Sequence, residues 1–129
     1  MLLRNLLRLY YQFWNTFCSA YPSGEVPTAA SFPYISYPTP RPKWGGRTID
    51  NVILYDQSTS FNRIGEILES IEKTIAEPGM VLTLDDGGGS IRLYRPNGNF
   101  FQKYSLPADE AAQNIKAYVI TIEYLGHIL

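Results

Sequence analysis

The stretch most suggestive of chemistry is Asp85-Asp86-Gly87-Gly88-Gly89, two adjacent carboxylates followed by three glycines. Adjacent carboxylates can hold a divalent cation. A calcium loop, however, needs oxygen ligands at alternating positions and a closing Glu, and a phosphate loop needs a Gly-Lys-Ser/Thr ending. Neither pattern is present, so a flexible acidic turn is the plain reading. Asp50 and Asp56 stand on one β-type run, and nothing in their spacing sets them as an acid–base pair at a defined separation. Cys18 is the only cysteine and His127 the only histidine. They are the one thiol–imidazole pair the chain could make, set against the simpler reading of a small buried thiol and a tail-end His. Zinc asks for about four Cys or His ligands, more than the chain holds. No Gly-x-Ser-x-Gly elbow occurs. The expectation is therefore no enzyme, no metal and no cofactor.

A second set of residues is suited to contact. Arg41, Lys43, Trp44 and Arg47 place three cations around an indole in a stretch with three prolines and two glycines between Pro38 and Gly46. Arg92 and Arg95 follow on a later β-type run. Basic residues interleaved with an aromatic can engage phosphates and stack on bases. The net charge of −1 works against tight nucleic-acid binding. Partner contact or ordinary solvation is the favoured reading, and Trp44 could equally pack back on its own domain. Arg41, Lys43, Trp44, Arg47, Asp85, Asp86, Arg92 and Arg95 make up the candidate assembly interface.

These residues need elements to hold them. Residues 2–18 carry Leu3, Leu6, Leu7, Tyr10, Phe13, Trp14 and Phe17 at three- and four-residue spacing, which predicts an amphipathic helix packed on its own sheet. Two arginines are few for a membrane-surface helix. Residues 21–31 read as a proline- and glycine-broken connector. Phe32 to Tyr37 reads as a short strand; Pro33 and Pro38 bracket it, so it should lie at an edge or start late. Residues 47–56 read as a second strand. A helix over 61–76 follows, capped by Ser58, Thr59 or Ser60, with Ile64, Ile67, Leu68, Ile71 and Ile75 on one face and Pro78-Gly79 as its stop. Met80–Leu84 and Ser90–Arg95 read as a hairpin, Phe100–Tyr104 as a fifth strand, and 107–114 as a helical turn or bulging loop. Lys116–Leu125 alternates and closes the order α-β-β-α-β-β-β-β.

The chain has 129 residues, the size of one domain, 45% of them hydrophobic and 18% charged. Ten Tyr, six Phe and two Trp fit either a Tyr-rich sheet core or a partly wet interface. Gln12, Asn15 and Thr16 interrupt the stretch that a secretory signal would need apolar, which points to a cytoplasmic setting without a membrane span. The fold class expected is α+β, a single domain with a mostly antiparallel sheet carrying an N-terminal helix and a central helix. Its parts are a leading helix over 1–20, a connector over 21–31, and the sheet with the central helix over 32–129.

Read in order, these segments resemble the small tail terminator proteins of long-tailed bacteriophages. The features are the leading helix, the run Phe32-Pro33-Tyr34-Ile35-Ser36-Tyr37, the helix with Ile64-Gly65-Glu66-Ile67-Leu68-Glu69-Ser70-Ile71, a hairpin over Val81–Tyr94, and the closing Tyr118-Val119-Ile120-Thr121-Ile122-Glu123-Tyr124. The likeness covers the chain from about residue 25 onward. It implies a structural virion subunit that caps the head-proximal end of the tail tube as a closed, hexameric ring of itself. Such a ring ends tail growth and forms the head–tail docking surface. Its partners would be the tail-tube protein and a head-connector or stopper protein, with phage DNA passing through the lumen without specific binding. It would be assembled in the host cytoplasm and reside in the virion neck. Another neck or head-completion protein is the alternative in kind, and a small cellular ligand-binding or enzymatic domain the alternative in class.

Overall fold

The structure is a computed structural model describing residues 2–39, 47–75, 79–83, 89–94 and 100–128. The helix α1 (Leu2–Asn15) runs as its periodicity predicts but ends three residues early. The Thr16 hydroxyl donates to the Phe13 carbonyl at 2.6 Å, and the Asn15 side chain accepts the Ala20 amide at 3.3 Å. Side chains that bond the local backbone offer it an alternative to the next helical turn. The chain turns there into β1 (Ser19–Pro22), a strand that sequence reading missed and whose end overlaps the expected connector.

β1 pairs in parallel with β2 (Tyr34–Tyr37), so β2 starts late, after Pro33, but is not the edge; β1 covers it. β2 lies antiparallel to β3 (Arg47–Gln57). β3 in turn pairs antiparallel along its whole length with β7 (Ile115–Ile128), from Arg47↔Leu125 to Gln57↔Ile115. The far side of β7 is shared by β5 (Gly89–Tyr94) near its C-terminal end and β6 (Phe101–Lys103) nearer its start. β4 (Met80–Thr83) pairs with β5 and forms the outer edge. The sheet order is β1-β2-β3-β7-β5-β4, antiparallel except at its first pair.

α2 (Asn62–Thr74) starts where the Ser60 hydroxyl accepts the Asn62 amide at 3.1 Å, while Phe61 takes the cap position itself. Its stop includes Gly79 at φ +99°, where an added Cβ would lie 2.6 Å from the Leu93 carbonyl oxygen. Between β6 and β7 lies the single turn α3 (Ala108–Ala111), matching the helical turn expected there.

Strand alternation sorts the sheet into two faces. Val52 and Leu54 on β3, Ile120, Ile122 and Tyr124 on β7, and Ile91 and Leu93 on β5 are buried. They form one core with Leu6, Tyr10, Phe13 and Trp14 of α1 and Ile64, Leu68 and Ile71 of α2. Tyr10 packs edge-on against Trp14 and Tyr37, with ring centroids 5.9 and 5.5 Å apart. Edge-to-face pairs of this kind add about 0.5–1.5 kcal/mol each beyond area burial. The chain is a single α+β domain with both long helices on one face of a mostly antiparallel sheet. The opposite face carries the alternate residues, among them Ile49 and Val81, which are exposed.

Candidate assembly interface

Of the contact residues singled out in the sequence, Arg47 and Arg92 lie in described strands, near the C-terminal end of β7. Arg47 and Arg92 pair with Leu125 from opposite sides of β7, which places them on a single row across the sheet. Two strand spacings separate their Cα atoms, about 10 Å. Segment 40–46 belongs to the connection that enters β3 at Arg47. Segment 84–88 joins Thr83 to Gly89, which pairs with Ile128. Both connections thus enter at the C-terminal end of β7. Arg41, Lys43, Trp44, Asp85, Asp86 and Arg95 lie outside the described residues, as do the side chains of Arg47 and His127.

The other end of the sheet carries a surface that sequence reasoning missed. On the face away from α1 and α2, Tyr34 and Tyr55 are register partners, and their rings stack with centroids 5.0 Å apart and planes at 26°. Phe32 and Tyr21 extend the row, with centroids 5.4 and 6.1 Å from Tyr34. All four are half-buried. α3 packs beside the start of β7, where Ala117 is buried. It brings the Glu110 carboxylate towards the stack. Burial pushes the Tyr34 hydroxyl above its ordinary pKa, and the Glu110 charge adds to that. Tyr55 is raised by burial, then by Tyr34, Tyr104 and Glu110. Glu110 has no ion-pair partner among the described residues. Next to the stack, a cleft of about 350 Å³ is lined by Lys103, Tyr104, Leu106, Asn114 and Lys116. The Lys116 ammonium donates to the Ser58 carbonyl, which ties the α3 corner to the end of β3.

The interior polar groups join elements together. Asp56 is fully buried and accepts from Arg63 of α2. Asp50 accepts the Tyr124 hydroxyl at 2.7 Å. Burial raises the Asp50 carboxyl above its ordinary value, and this hydrogen bond partly offsets the rise. Cys18 is half-buried; burial, then the Asp56 charge, push its thiol up to about 12, far from the range of a reactive thiolate. Among the described residues no group of three or more His, Cys, Asp or Glu could hold a metal ion. Among them, too, no helix is long and apolar enough to cross a membrane.

Chemically, the Tyr34–Tyr55–Glu110 surface can stack on aromatics and attract cations through ring faces and carboxylate together. One signal for it existed in the sequence. Tyr34 and Tyr55 alternate with the buried positions Ile35 and Leu54, but only the strand register puts them side by side. No protein-family model, curated protein or solved structure matches the chain.

Proposed function

We propose that this chain is a phage tail terminator: a structural subunit that closes into a ring on the last layer of the tail tube, ends tube growth and offers the surface to which the head connector docks. The observation that carries this reading is the asymmetry of the sheet. One face is covered by α1 and α2; on the other, Ile49 and Val81 are exposed among the described residues. Arg47, Arg92 and the connections that carry Arg41, Lys43, Trp44, Asp85 and Asp86 meet the described strands at one end, and an aromatic–acidic surface lies at the other. A subunit with different patches at its two ends is suited to heterologous contacts, which close into rings when the rotation allows. The resemblance in element order supplies the ring's place at the head–tail junction. Asp56–Arg63 links strand to helix and Tyr124–Asp50 links strand to strand.

The test is removal of the protein from the phage or prophage that encodes it, followed by electron microscopy of the lysate. Without it, tubes of irregular length and unjoined heads should accumulate, and adding purified protein back should restore joined virions. Removing residues 39–47 or 85–90 should leave a folded domain that no longer completes tails. Normal virion yield without the protein, or from both truncations, contradicts the assignment.

A further inference from the structure

We infer that the Tyr34–Tyr55–Glu110 surface of one copy receives Lys43 and Trp44 of a second copy. The inference rests on the ring reading above and names the contact that would close the ring.

Complementarity selects the occupant. The surface offers two stacked tyrosine rings, two further rings against Tyr34, and a carboxylate without a cation among the described residues. The chain's own segment 40–46 offers Arg41, Lys43 and Trp44 within four residues. An indole fits a tyrosine stack, and an ammonium fits a ring face flanked by a carboxylate.

Chain length decides between a contact within one copy and a contact between copies. Tyr55 lies eight residues along β3 from Arg47, roughly 26 Å of extended strand. The three-residue tether from Arg47 to Trp44 spans at most about 11 Å. Trp44 therefore cannot reach the stack of its own subunit. The same indole from a neighbour can, because donor segment and acceptor surface lie at opposite ends of the sheet and present themselves head to tail. Repeating that contact adds each copy in the same sense, which is what a closed ring requires.

The experiment is sedimentation velocity over a concentration series on the full chain, with circular dichroism as the check on folding. Four samples are compared: wild type, Glu110→Lys, Lys43→Glu, and an equimolar mixture of the two variants. Wild type should form a concentration-dependent large species. Each variant alone should need on the order of tenfold more protein to assemble. The mixture should assemble like wild type: in an alternating, even-numbered ring each unchanged loop meets an unchanged surface, and each reversed loop meets a reversed one. Should Glu110→Lys unfold the domain, Glu110→Gln together with Tyr55→Ala tests the same surface and should weaken assembly. Folded single variants that assemble like wild type, or a folded mixture that fails to recover, overturn the contact and leave the ring reading standing. Wild type that stays monomeric at every concentration overturns both.

Discussion

Arg63, in the first turn of α2, donates from Nε to both carboxylate oxygens of Asp56 at 3.1 Å, with Nη2 adding a further contact to one of them. Asp56 is fully buried at the end of β3 and also accepts the Gln57 amide at 2.8 Å. This pair fixes where the helix leaves the sheet, and with it the corner against which Lys116 and α3 are set.

Asp56→Ala should therefore destabilise the domain by about 2–3 kcal/mol, the scale for losing a buried acceptor with several donors. The loss should appear as a lower urea midpoint at unchanged slope. Arg63→Ala should also destabilise, since it leaves a buried carboxylate facing fewer donors. Unchanged midpoints for both would show the pair to be idle.

Two buried tyrosines should respond in opposite directions. Tyr124 donates to Asp50, so Tyr124→Phe should cost about 1–2 kcal/mol. The Tyr10 hydroxyl and Trp14 Nε1 lie near each other, yet neither completes a hydrogen bond among the described residues. Tyr10→Phe removes an unmatched buried polar atom while keeping the ring contacts, and should be neutral or stabilising by up to about 1 kcal/mol. Thermal melts of the two variants decide this. A large loss in Tyr10→Phe would reveal a partner for the hydroxyl.

Stability should fall in two pH windows. The folded-state pKa of Asp50 is raised above 3.8, so the folded form holds its proton longer than the unfolded chain does. Its contribution is fully present below 3.8 and is lost as pH rises through the folded value. Asp50→Asn should remove that slope. Burial pushes Tyr37 up to about 12. Its contribution is present below the unfolded tyrosine value of about 10 and is lost between there and about 12. Tyr37→Phe should flatten the alkaline limb of a denaturation series, and an unaltered limb counts against that origin.

Gly79→Ala should lower stability by about 2 kcal/mol or more. Its φ of +99° disfavours a side chain, and the new Cβ would press to 2.6 Å on the backbone oxygen of Leu93, which cannot swing aside as a side chain would. Calorimetry checks this.

The parts of the fold legible in the sequence were those where one strong period runs long enough to count. Ile64, Leu68 and Ile71 in α2, and Ile120, Ile122 and Tyr124 in β7, all face the core as their spacing implied. β1 was not legible. Four residues, Ser19 to Pro22, show no alternation, and the proline at their end speaks for a turn. The α1 boundary moved because Thr16 bonds the backbone of its own last turn. The eight contact residues were picked by type, yet the row shared by Arg47 and Arg92 exists only through β7. The tyrosine stack was hidden for the same reason, since pairing between distant strands leaves no local trace.

β7 comes last among the described strands in chain order, yet it lies inside the sheet, with β3 on one flank and β5 and β6 on the other. During synthesis those three strands must wait, edges bare, until residues 115–128 leave the ribosome. Nascent chains stopped short of that point would hold two half-sheets with open edges and no common centre, a state prone to sticking to others of its kind. Completion of the domain is thus a late, all-at-once event.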